Sequence, residues 1–393
     1  MVKQALVAAP RSSPGPDLVA TTPHDTTARL QSLDVFRGIT IAAMLLVNNP
    51  GSWSHVYAPL QHAAWHGSTP TDLVFPFFLF IVGITTTYSL GGMMDRGVPR
   101  RTLLRKALVR AAIIFGLGLT LQGFPHYDLA HLRLLGVLQR IALSYLVAAA
   151  IVLSTPIRGQ AAALPALLVG YWVLLVSVPV PGVGRGILEP DLNLANWIDL
   201  HVIGTNHLPG TWDPEGILST LGAIATVLCG VLAGHWIRST REVAPKVIRL
   251  MLAGGTGILI GLLWSQLFPI NKSLWTGSYV AFTAGIACVI LAGLYWLVDV
   301  RGRRRWTWPF LVFGTNAITA YWVSSLVAIV LDWIVIAGPG EEEARVLKTY
   351  LYDTVLASWL PPVPASLAYA IGYVLLWLVL LGILYRRRIF IRI

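Results

Sequence analysis

The stretch TDLVFPFFLFIVGITTTYSLGGM, residues 71–93, decides the class of fold. Its only charge is Asp72, at the start. A helix needs about 20 apolar residues to cross a hydrocarbon core, and this run supplies them. Its opening, Thr69-Pro70-Thr71-Asp72, reads as a helix start, with a hydroxyl at the cap, Pro at the first position and a carboxylate at the third. Outward from it, comparable segments recur near 35–51, 104–122, 134–155, 161–180, 215–237, 248–268, 276–298, 309–336 and 366–386. Asp213-Pro214-Glu215 repeats the start signal before the segment at 215. The expectation is an all-α polytopic membrane helical bundle of about ten transmembrane helices. The stretch 344–361, between Glu341-Glu342-Glu343 and Pro361-Pro362, reads as one more helix, interfacial or re-entrant.

Composition agrees. Apolar residues make up 55% of the chain and charged residues 12%, against roughly 25% charged in soluble domains. The mean hydropathy is +0.68. A net charge of +11 invites a nucleic-acid reading, but the basic residues fall in blocks between apolar segments. Arg96, Arg100, Arg101, Arg105 and Lys106 form one block, Arg238, Arg241 and Lys246 a second, Arg301, Arg303, Arg304 and Arg305 a third, and Arg386, Arg387 and Arg388 a fourth. With an even number of spans all four share one side, and the positive-inside rule makes it cytoplasmic. Both termini are then cytoplasmic, and residues 1–30, rich in Pro, Ser and Thr, read as a disordered tail. Cys229 and Cys288 lie in apolar segments and form no disulfide framework. No inverted repeat of the transporter kind is visible.

Polar residues within the apolar runs are costly there and so informative. Asn48 and Asn49 close the first run, and Gln139 and Arg140 lie in the fourth. A buried Arg140 calls for a carboxylate, backbone carbonyls or an anionic ligand, and a structural interhelical pair is as good a reading as a ligand site. The outer loops hold His55, His62 and His66, then Asp213 and Glu215. Most polar residues of an aqueous loop are plain solvated surface. His62 and His66 stand four apart, but no third ligand follows at metal-site spacing, so no metal is expected.

Ser32-Leu33-Asp34-Val35-Phe36-Arg37-Gly38 opens the first segment, and Leu46-Val47-Asn48 closes it. His62-Ala63-Ala64-Trp65-His66-Gly67 and Asp72-Leu73-Val74-Phe75-Pro76 follow. Further on stand Gly136-Val137-Leu138-Gln139-Arg140, Asp213-Pro214-Glu215-Gly216, Pro269-Ile270-Asn271-Lys272-Ser273-Leu274-Trp275 and Gly314-Thr315-Asn316. This ordered set resembles the heparan-α-glucosaminide N-acetyltransferase family and its bacterial relatives, over most of 31–330. The resemblance implies that 31–393 is a transmembrane acyltransferase domain in a bacterial inner membrane. It implies acetyl-CoA as donor, an extracytoplasmic amino sugar or glycan as acceptor, and a homodimer. It also implies that the animal enzyme's extra N-terminal domain and leading helix are lacking. His62 takes the position of the family's catalytic His, and Asn48 that of its important Asn. The gap between them is a few residues longer than in the animal enzyme, and His66 stands where the family often has Asn.

Residue chemistry fits those positions. An imidazole near its usual pKa of about 6.5 accepts a proton from an amine or attacks a thioester. Asn48 offers an amide donor to an oxyanion. Asp72 orients His62 or merely caps its helix. Trp65, with Trp53, Tyr57, Trp197 and Trp212, suits sugar stacking or an interfacial belt. Asp213 and Glu215 are candidates for acceptor binding. Arg140, Asn271, Lys272 and Asn316 are candidates for acetyl-CoA binding on the motif match. The rival from another class is a solute transporter with Arg140 and Asn48-Asn49 on its path. The charge blocks make the orientation testable. Cysteines replacing His62 and Thr205 should react with an impermeant thiol reagent added to intact cells, whereas one replacing Arg303 should not. Labelling at 303 would reverse the orientation.

Overall fold

A computed structural model describes residues 30–336 and 344–391. Most of the expected tail, residues 1–29, lies outside the described residues, as do Glu341-Glu342-Glu343. The described chain is almost wholly helical. The long helices are α1 (Gln31–Asn48), α2 (Pro70–Asp95), α3 (Arg100–Gly123), α4 (Val137–Ser154) and α5 (Ile157–Ser177). A short surface helix α6 (Leu194–Val202) precedes α7 (Thr220–Arg238), α8 (Val243–Trp264) and α9 (Gly277–Val300). The chain continues through α10 (Trp308–Thr315), α11 (Ala317–Trp333), the short α12 (Leu347–Leu351) and α13 (Pro362–Arg386). The only strands among the described residues are β1 (Val335–Ile336) and β2 (Arg345–Val346), an antiparallel pair.

Every expected apolar segment is occupied by helix, but the count of about ten is corrected. Among the described residues seven helices are long and apolar enough to cross a membrane, or eight if one bent pair counts as a single span. The physical reasons are local. α1 is only 18 residues long and carries Asp34 and Arg37 in its first turns. α3 opens on Arg100, Arg101, Arg105 and Lys106. The expected span at 309–336 is the bent pair, α10 and α11, which meet at 82° on Asn316. The stretch near 344–361 contributes α12 and a π-helical turn, Tyr352–Ala357. At 1.5 Å per residue that is roughly 16 Å, about half the hydrocarbon thickness. It is too short to span.

The core is built on close backbone approach. α2 and α7 are the most enclosed spans, 67% and 72% buried. They touch where side chains are missing. A Cβ on Gly83 would stand 2.0 Å from the Val227 carbonyl, and one on Gly230 would stand 2.0 Å from that of Phe80. Lipid tails are as apolar as Leu, so helices in a bilayer gain mainly from such packing. α1 crosses α10 in the same way, with Gly38 against Phe310 and Gly314 against Asp34. α5 and α8 lie at the periphery, 22% and 17% buried. Gly314→Val should therefore force α1 and α10 apart, since its Cβ would lie 2.1 Å from the Asp34 carbonyl. Overpacking of that kind costs about 1–3 kcal/mol. The check is the unfolding midpoint in detergent, which should fall for Gly314→Val and hold for Gly372→Val, where nothing lies within 4 Å.

Candidate active site

The site begins where α1 ends. Asn49 folds its amide back onto the Leu45 carbonyl (2.8 Å) and closes the helix, while Asn48 points to solvent. The chain then crosses to α13, where Gly51 and Ser52 donate backbone N–H groups to Ser366. The Thr69 hydroxyl donates to the Gln61 carbonyl (2.7 Å) and draws 61–69 into a loop. Gly67 N–H donates to the Ile270 carbonyl (2.7 Å), tying that loop to the segment between α8 and α9.

Asp72 organises this loop. It is buried in the first turn of α2, and both its oxygens are engaged. Oδ2 accepts the backbone N–H groups of Ala63 and Thr69, each at 3.0 Å. Oδ1 lies 2.6 Å from His62 Nδ1 and 3.6 Å from Lys272 Nζ. The Tyr279 hydroxyl donates to the Asp72 carbonyl at 2.5 Å. A carboxylate only accepts, so an imidazole proton on Nδ1 serves the Asp72 contact and leaves the Nε2 lone pair. Lys272 Nζ, a second donor, stands 3.0 Å from Nδ1 and 3.3 Å from Nε2. Burial pulls the Lys272 ammonium below its ordinary value, against the pull of Asp72 and Glu215.

His62 and Asp72 face a cavity of about 410 Å³ that Asn48, Trp65, Glu215 and Lys272 also line. Trp65 meets Trp212 edge-on at 5.2 Å and anchors its indole N–H on the Leu188 carbonyl (2.9 Å). Of the other outer aromatics, Trp197 stacks on His201 and Trp53 stands exposed, away from the cavity. The two histidines diverge, His62 toward Asp72 and His66 toward the Asn271 amide (3.3 Å). Among the described residues no three His, Cys, Asp or Glu side chains converge as metal ligands do.

Residues 29–248, from α1 through this loop and cavity to the start of α8, match the family model described as heparan-alpha-glucosaminide N-acetyltransferase, catalytic. The chain belongs to this family. A human protein named heparan-alpha-glucosaminide N-acetyltransferase is 33% identical over 352 residues, covering 75% of this chain and 52% of the relative. Its mouse counterpart is 30% identical over 363 residues, covering 78% and 54%. The chain thus spans about half the length of the curated relatives it matches.

The remaining candidates of the sequence reading separate. Asp213 is buried and, with Glu215, receives Arg133, whose Nη2 lies 2.6 Å from Asp213 Oδ1 and 2.5 Å from Glu215 Oε2. Those carboxylates raise the Arg133 pKa against the opposing effect of burial. Arg133 was missed from sequence. Its signal was a lone cation in an outer region nearly free of Lys and Arg, facing two carboxylates in Asp213-Pro214-Glu215. Arg140 is fully buried and finds neutral partners, the Gly216 carbonyl (3.2 Å), the Ser219 hydroxyl and the face of Trp275. These contacts hold 213–219 as a turn, so α7 starts at Thr220, later than the expected 215. Asn271 orders its own loop by accepting the Leu274 N–H (2.8 Å). Asn316 clamps the segment after α13, donating to the Ile389 carbonyl (3.2 Å) and accepting the Ile391 N–H (2.9 Å). Arg140, Asn271, Lys272 and Asn316 therefore do not form one site.

A second cavity, about 270 Å³, runs along α1 on the side of Arg37, with Arg110, Tyr145 and Thr315 in its wall. Met44 and Val137 line both cavities, so the two adjoin there. From Arg37 to Asn48 the α1 axis rises roughly 16 Å.

Under the larger cavity lies Asp199, on α6. It is buried, and its Oδ1 accepts the Ile217 N–H at 2.8 Å. Burial pushes its carboxyl up to about 6 and nearby Asp213 adds to that, while the Ile217 N–H and Arg140 oppose it. Its folded value exceeds its unfolded one, so folding favours the protonated form. Stability should fall as pH rises through about 4 to 6, and the penalty is full above that range. Asp199→Asn keeps the acceptor for Ile217 and removes the charge. Its unfolding midpoint should exceed that of the parent at neutral pH and lose the slope across that window. An unchanged slope would remove Asp199 as its origin.

Proposed function

We propose that the chain is a transmembrane acetyltransferase, moving an acetyl group from acetyl-CoA to an amine of an amino sugar or glycan across the membrane. The observation that carries this reading is the His62–Asp72 pair on a cavity shared with Asn48, continued along α1 by a second cavity. The acceptor class follows from the relatives' names, which specify an alpha-glucosaminide. With α1 and α3 also crossing, all four basic blocks share one side, and the positive-inside rule then supports both termini in the cytoplasm and His62 facing outward.

The inner cavity fits the donor chemically. Its walls include Ile41, Phe78 and Ile141, apolar surface for an extended pantetheine arm. Arg110 supplies a cation for phosphates, and its Nε is a buried donor with no hydrogen-bond partner among the described residues, while Arg37 in the same wall is paired with Asp34. Acetyl-CoA brings an activated thioester. Transfer forms a C–N bond and breaks the C–S bond. In one route His62 Nε2 takes the proton of the attacking amine and returns it to the leaving thiolate. In the other Nε2 accepts the acetyl group and passes it on. Asp72 stabilises the imidazolium in the first route and aims the ring in both. Asn48 makes no hydrogen bond to another described residue, which leaves its amide for the oxyanion, an interaction often worth about 3 kcal/mol. Trp65 and Trp212 offer an apolar corner for a sugar face, and Glu215 keeps Oε1 for the acceptor while Arg133 holds Oε2.

The test is His62→Ala, assayed with labelled acetyl-CoA and a panel of amino sugars. General-base catalysis contributes about 10²–10⁴-fold, so transfer should drop at least ~100-fold while the fold and donor binding persist. His66→Ala should be milder. Transfer at the parental rate by His62→Ala would remove the catalytic assignment.

A further inference from the structure

A further cavity, larger than the two along α1, lies apart from His62. It is a groove of about 700 Å³ between α5 and α8, with Cys229 of α7 and Ala284 and Cys288 of α9 in its floor. Its walls are the two least buried spans of the bundle. At one end Trp264 closes it, edge-on to Trp172 at 5.6 Å. At the other end stand Trp236 and Arg249. The guanidinium groups of Arg241 and Arg249 each lie 4.8 Å from the Trp236 ring, and the indole N–H donates to the Lys246 carbonyl (3.3 Å).

An apolar cleft between peripheral spans is filled in a bilayer by acyl chains or by another helix. Two features choose between them. Arg241, Lys246 and Arg249 form no ion pair with another described residue, and Glu242 is the one carboxylate in that loop, so the mouth is cationic. Three of the four glycines of α8 are already used, and Gly255 alone makes no small-residue stripe for a foreign helix. Gly254, Gly257 and Gly261 face α9, each with a would-be Cβ within 3.1 Å of its atoms. From Arg249 to Trp264 the groove runs roughly 22 Å, enough for one leaflet's acyl chain. We propose that this groove binds an anionic phospholipid, with its tail between α5 and α8 and its phosphate on Arg241 and Arg249 beside Trp236.

Native mass spectrometry of the purified full chain, offered phosphatidylglycerol or phosphatidylcholine, tests this directly. The parent should retain phosphatidylglycerol preferentially. Arg241→Gln with Arg249→Gln should cut that preference by about tenfold, since cations near the surface each favour anionic lipid. Ala253→Phe, at an exposed position in the groove wall, should exclude both lipids while leaving the unfolding midpoint unchanged. Equal retention of the two lipids by the parent would overturn the proposal, as would retention that neither variant alters. A lipid-free dimer lost in Ala253→Phe would assign the groove to a second copy instead.

Discussion

Asp72 is a carboxylate buried at the mouth of a helix, and the geometry around it follows from the need to satisfy it. Two backbone N–H groups, an imidazole and a nearby ammonium meet its oxygens, and a tyrosine meets its carbonyl. Removing a partner from a buried charge costs about 3–5 kcal/mol, so the loop at 61–69 is held by the same energy that holds α2 in place. His62 is thereby oriented by folding itself. Its Nδ1 meets Asp72, and the ring lines the cavity beside Lys272.

The cations behind the site meet burial in two ways, and Arg140 leaves Nε and Nη1 without a hydrogen-bond partner among the described residues. Arg133, nearer water, takes two carboxylates, and the pairing places Glu215 on the cavity wall. Arg140 takes a carbonyl, a hydroxyl and an aromatic face instead. Both contact the segment 213–219, so this wall is braced from α4 and from the loop that precedes it. Asp199 sits in the same layer, its Oδ2 occupying the space a side chain at Gly216 would fill. The wall is dense with polar groups because the segment never becomes helix and its backbone must find partners elsewhere.

The fold was legible because a bilayer leaves so few options: every apolar run became a helix. What the sequence concealed was how charges and breaks within a run lower its span-forming character, as in α1, α3 and the α10–α11 bend. At the site, His62, Asn48, Asp72, Trp65 and Glu215 line one cavity, joined by Lys272, which the motif match had grouped with the acetyl-CoA candidates. The grouping of Arg140, Asn271, Lys272 and Asn316 was not legible, because a motif position says nothing of which neighbour a side chain reaches. Asn316 illustrates this. It ends one helix, starts another and spends its amide on the chain after α13. Arg133 was hidden for the same reason, since its two carboxylates lie 80 and 82 residues away.

The two cavities give the fold its direction. One wall is α1, whose Arg37, paired with Asp34, stands in the cavity that Arg110 also lines, and whose Asn48 end carries an amide on the other cavity. The helix has to be short and closely packed for both ends to serve, which Gly38 permits by letting α10 lie against it. Met44 stands at the boundary, with Val137 across from it. A thioether chain is unbranched and adapts its shape at little cost, so that boundary yields to a slender acyl-bearing arm more readily than a β-branched pair would. On the proposed reading, such a path would keep the phosphates of the donor beside Arg110 and bring only its neutral thioester past Met44 to His62 and Asn48. That division suits the chemistry, because the charged part of the donor would never have to cross the apolar wall between the two cavities.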